Sequence, residues 1–98
     1  MINTKLIEAA YKELRRAQAV GDIIGISFEH GLSGFGGILV RRTDLIARFG
    51  DFYRIEPFSD KYPAKISFTT PNGVKWYALC LPEELTEEDW RRLNAWQE

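Results

Sequence analysis

The strongest constraint on this fold is one stretch of alternating residues, Ala64 to Leu81, broken by a single turn. Ala64-Lys65-Ile66-Ser67-Phe68-Thr69-Thr70 alternates apolar and polar, and Val74-Lys75-Trp76-Tyr77-Ala78-Leu79-Cys80 follows Pro71-Asn72-Gly73. Period-two alternation belongs to strands with one face on a core, so the segment predicts an antiparallel hairpin. Two turns compete. A two-residue turn at Asn72-Gly73 puts Trp76 on the face of Ser67 and Thr69. A turn with Pro71 at its second position and Gly73 in the left-handed bulge position pairs Thr70 with Val74. The fixed φ of Pro71 favours the second. That register also gathers Ile66, Phe68, Val74, Trp76 and Ala78 on one apolar face, where a one-residue slip would scatter them. The expectation is a bulged hairpin with Trp76 buried.

The rest of the chain supplies helices and further strands. Leu6, Ile7, Ala10, Tyr11, Leu14 and Ala17 recur at three- and four-residue steps, which predicts an amphipathic helix over 3–19 with one buried stripe. Asn3 or Thr4 caps it and Gly21 ends it. Residues 23–29 read as a strand with Ile24, Ile26 and Phe28 on one face, and 36–41 as a second. Thr43 is placed to cap a short helix over 44–49, ended by Gly50, and 52–58 reads as a third strand, with Pro57 marking an edge. Thr86 starts a last helix over 87–96, with Asp89 completing an approximate capping box and Leu85 and Trp90 a hydrophobic staple. The fold class is therefore α+β: a mainly antiparallel sheet of about five strands, with N-terminal and C-terminal helices packed on one face and a short helix near residues 44–49. The 98 residues suit one domain spanning 1–98.

The net charge of −1 conceals an asymmetry, for residues 1–80 carry +3 and residues 81–98 carry −4. The dipole of the last helix accounts for acids at its start; an acidic surface for a basic partner is the alternative. A near-neutral balance disfavours non-specific nucleic-acid binding. No apolar run approaches the ~20 residues of a membrane helix, so no membrane association is expected. The first residues do not read as a secretory leader, and a single Cys suits a reducing interior, so a cytoplasmic location is expected.

Few residues offer chemistry. Gly31-Leu32-Ser33-Gly34-Phe35-Gly36-Gly37 is glycine-rich, yet no Lys-Ser/Thr follows it as in a phosphate loop, and a strand follows where a helix is needed. It reads as a hairpin connection or a pair of glycine kinks, with a partner-binding loop tipped by Leu32 and Phe35 as the sharper alternative. His30 would need Ser27, Ser33 or Cys80 brought to it in space. Cys80 reads as a small buried hydrophobe. One His and one Cys make no metal-ligand set, no carboxylate pair stands out, and no cofactor or catalytic residue is expected. The outward face of the hairpin shows Lys65, Ser67 and Thr69 beside Lys75, Tyr77 and Leu79, with Tyr53 or Arg54 joining from the neighbouring strand. That is a solvated sheet face, a protein-binding face or, less well supported, a single-strand nucleic-acid platform.

Aromatic residues exceed what a core of this size readily hides. Trp76 and Trp90 are assigned to the core, and Trp96 with Tyr62 or Phe58 to an interface. The function these features favour is a small non-catalytic protein-binding module, a regulator or inhibitor that occupies a surface of a larger protein or self-associates. Its contact residues are expected among Leu32, Phe35, Tyr62, Lys65, Lys75, Tyr77 and Trp96. Chains of this size class include inhibitors carried by phages and other mobile elements, an analogy of size alone. The alternatives are nucleic-acid binding through Lys65, Lys75 and Tyr77, and a ligand binder or enzyme around His30 and the glycine loop.

Overall fold

The computed structural model describes residues 2–27 and 36–96. The elements run α1 (Thr4–Ala19), β1 (Gly25–Ser27), β2 (Gly37–Leu39), α2 (Arg42–Phe49), β3 (Arg54–Pro57), β4 (Ala64–Thr69), β5 (Lys75–Cys80), a 3-10 turn (Pro82–Glu84) and α3 (Glu87–Asn94). The strands form one sheet in the order β1-β2-β5-β4-β3. Every neighbouring pair is antiparallel except β2 with β5. The chain thus builds two antiparallel pieces, β1–β2 and the meander β3–β4–β5, and zips them together along the parallel pair. The segment carrying α2 crosses the sheet from β2 to the far edge at β3.

The hairpin takes the bulged register. Phe68 lies opposite Trp76 and Thr69 opposite Lys75. Thr70 N–H donates to Val74 O at 2.9 Å, Gly73 N–H returns to Thr70 O at 2.8 Å, and Gly73 has φ +85°. Ile55, Ile66 and Ala78 face the core with Ile23, Val40, Leu45 and Cys80, and side chains from all three helices pack against them: Leu14 and Ala17, Ile46 and Phe49, Leu93. Trp76, expected to be buried, is only half-buried, tilted against Phe49, which stacks on Phe68 with ring centroids 4.8 Å apart.

Four expectations are corrected. No residue of α1 is buried, although its stripe predicted one buried side; only Leu14 and Ala17 are seated on the core. Thr43 does not cap α2, which begins at Arg42, two residues before the expected start, after an uncapped, extended Arg41. Trp90 is 39% exposed, and Asp89 is the buried residue of α3. Tyr53 does not join the outward face but turns into the core. The expected faces of Phe28 and the roles of His30, Leu32, Ser33 and Phe35 lie outside the described residues.

Candidate protein-binding site

The residues of α1 explain why it forms and why it is only half covered. Asn3 accepts a hydrogen bond from Leu6 N–H at 3.0 Å, a direct N-cap. At the other end the Arg41 guanidinium donates to Gly21 O at 2.7 Å, and the Gln18 amide donates to Ile24 O at 2.8 Å. These two clamps and the seating of Leu14 and Ala17 all belong to the C-terminal half of the helix. The N-terminal half projects, and Leu6, Ile7 and Tyr11 remain 65%, 56% and 63% exposed. The long axis of the molecule is 47 Å, and its radius of gyration of 15.0 Å exceeds the ~13 Å of a compact chain this long.

Packing beneath the helix is open too. A groove of about 540 Å³ runs between α1 and β1, lined mainly by Ile7, Ala10, Tyr11, Leu14, Ile23 and Ile26. A second hollow of about 500 Å³ shares Ala10, Leu14 and Ile26 and continues to Val74 at the hairpin turn. Protein interiors leave few voids larger than a water molecule, so α1 rests on the sheet without closing against it. The far wall of the groove is the sheet's edge, where Ile24 and Ile26 are also partly exposed. Along β2 the Val40 N–H turns to Tyr77 O; neighbouring residues of a strand point their polar groups to opposite sides. Leu39 therefore faces β1, where its carbonyl accepts Ile24 N–H at 2.7 Å. Ile26, opposite Ile38, then directs its own N–H and C=O to the free edge.

The residues expected to bind a partner are dispersed. Leu32 and Phe35 lie outside the described residues. Tyr62 is half-buried in the turn between β3 and β4, its ring 5.4 Å from Lys61 Nζ, and Trp96 is half-buried beyond the end of α3. Lys65, Lys75 and Tyr77 share the sheet face away from the helices, but Lys65 and Tyr77 are buried and Lys75 half-buried. Lys65 sits directly across from Glu56 and forms an ion pair with it at 3.1 Å, its ammonium 6.0 Å from the Tyr77 ring. Alternation in β4 and β5 correctly sorts side chains to two faces, yet it does not say that one is solvated: β4 is buried on both faces from Ala64 to Ser67.

A buried polar cluster, unforeseen from sequence, anchors the opposite end of the molecule. Asp89 accepts from Thr86 N–H at 3.0 Å, from Arg42 at 2.9 Å and from the Tyr53 hydroxyl. Arg92 donates to Tyr53 O at 2.6 Å and lies over its ring. Burial works against a charged Asp89, but the hydrogen bonds from Tyr53 and Thr86 and the Arg42 cation outweigh it and hold the carboxyl below its ordinary value. Burial and the bond to Asp89 push the Tyr53 hydroxyl up. The group ties α2 and α3 to the residue that leads into β3. Arg42 and Asp89 are 47 positions apart, so only the capping box, Thr86 with Asp89, carried a signal in the sequence.

Cys80 is fully buried, and burial pushes its thiol up to about 11. We expect no reaction with iodoacetamide at pH 7 in the native state and one equivalent in denaturant. Rapid native labelling would place Cys80 at a reactive site.

The chain matches no protein-family model, no curated protein and no solved structure. Among the described residues, no helix is long and apolar enough to cross a membrane.

Proposed function

We propose that this chain is a non-catalytic protein-binding module, a regulator or inhibitor that works by occupancy, and that α1 with the β1 edge is its docking face. The observation that carries this reading is the projecting apolar half of α1 over an unfilled apolar groove. Fully burying a large apolar side chain contributes ~1.5–3 kcal/mol, and Leu6, Ile7 and Tyr11 forgo about half of that each in the isolated chain. Most of a helix's stability in a protein comes from packing of its apolar face, so the free half of this 16-residue helix gains most from a protein surface laid against it. The basic and aromatic sheet face supports nucleic-acid binding less well, because Lys65 is engaged with Glu56 and both Lys65 and Tyr77 are buried.

Affinity-tagged chain recovered from its native cells should retain a stoichiometric protein, identified by mass spectrometry. Tyr11→Glu should lose it while changing stability by no more than ~0.5 kcal/mol, as expected at an exposed position. Equal recovery with Tyr11→Glu would refute the docking face. No recovered protein, together with a monomeric mass in solution, would refute the reading as a whole.

A further inference from the structure

We infer that the occupant of the α1–β1 face is a second copy of this chain, bound across a two-fold axis that runs beside Tyr11 and sets two α1 helices antiparallel. The inference rests on the protein-binding reading and names its partner. Charge pattern is the first argument. Glu8 and Arg15 lie two helical turns apart on the flank that borders the groove, and Arg15 lines it. An antiparallel copy centred between them places each Glu8 beside the partner's Arg15, twice per dimer. A parallel copy in register would set like charges together at every position, whereas the antiparallel copy does so only where Lys12 nears the partner's Lys12. The same centring brings Tyr11 next to the partner's Tyr11 and points each Ile7 at the partner's Leu14 and Gln18, inside its groove.

Area is the second argument. Ile7, Tyr11, Ile24 and Ile26 are between 37% and 63% exposed. Together they present on the order of 400 Å² per copy, so a two-fold contact covers about 800 Å², the size of a weak, transient interface. Because a two-fold contact uses one patch twice, a single modest patch suffices here. An interface of this size predicts a dimer that dissociates on dilution.

Sedimentation equilibrium on the intact chain between ~1 and ~200 µM tests this, since weak specific contacts fall in that range. The wild type should approach a two-copy mass at the upper end. Glu8→Arg and Arg15→Glu should each weaken association roughly tenfold by facing like charges across the axis. Mixing the two variants, or combining both changes in one chain, should restore it. Glu8→Arg should keep the wild-type thermal midpoint at ~1 µM, and Arg15→Glu, which gives up the exposed bond to Gln18 Oε1 at 2.8 Å, should lower it by no more than ~4 °C. A wild type that stays monomeric at 200 µM overturns the inference, as does a dimer indifferent to both substitutions. If an unlike protein co-purifies and is lost with Tyr11→Glu, the protein-binding reading survives that failure; with no such protein, both fall.

Discussion

Replacing Asp89 with alanine is expected to cost about 3–5 kcal/mol, the usual penalty for removing one member of a buried ion pair. The loss is that large because Asp89 has no exposed surface, Tyr53 is buried and only 15% of the Arg42 side chain reaches water. Arg42 already holds one buried N–H, at Nε, without a partner among the described residues. Without Asp89 its cation and the Tyr53 hydroxyl would be stranded as well, and the capping box of α3 would open. For a chain of this length such a change lowers the thermal midpoint by more than ~12 °C. Arg42→Met in the Asp89→Ala background should recover part of the loss, because it removes the stranded charge. Additive costs would show that the two residues act independently.

The pH dependence follows from the same carboxylate. Asp89 has a native pKa below its unfolded value, so it binds fewer protons folded than unfolded as pH falls through the carboxylate range. Its stabilisation is complete above the ordinary value of ~4 and is lost as pH falls below that through the native value. The gap in thermal midpoint between wild type and Asp89→Asn should therefore be wide at pH 7 and narrow toward pH 2. A gap that is constant with pH would mean that the charge on Asp89 carries none of the effect.

Gly37→Ala is expected to be the costliest single-methyl addition in the sheet. Gly37 has φ +135°, a conformation side chains rarely adopt, and a Cβ there would stand 2.5 Å from the backbone oxygen of Lys75. Strain of this kind costs ~1–3 kcal/mol, and the backbone overlap adds to it. The combined loss should be about 2–4 kcal/mol, read from denaturant midpoints at unchanged slope. Its consequence is topological, for the parallel β2–β5 pair is what joins the two halves of the sheet. Gly25→Ala is the control: among the described residues, nothing beyond its chain neighbours lies within 4 Å of its added methyl, so it should change stability little. Equal effects at the two positions would reject the close-approach explanation.

Most of the secondary structure was legible because its causes are local. Asn3, Thr86 with Asp89, Gly50 and Gly73 act within four residues of themselves, and each sits where its turn or cap requires it. Pro71 chose the hairpin register the same way, through its own φ. Thr43 misled because Arg41 enters α2 without a side-chain cap, so the strongest capping residue nearby was not the one in use. The glycine at 37 was visible, but its reason, the backbone of a strand nearly forty residues later, was not.

The sequence alone therefore determined the elements, most of their faces and the class of the fold. Only the tertiary structure decided how much of each face is covered. It closed Lys65 and Tyr77 inside a sheet face that alternation marked as polar. It stood α1 off the sheet so that an apolar stripe, expected inside, lies open. It brought Arg42 to Asp89 across 47 positions. The physical reason is common to all three: periodicity records which side chains point together, whereas burial depends on what the rest of the chain can reach and fill. Here 98 residues close the core over α2 and α3 and leave the first two turns of α1 uncovered.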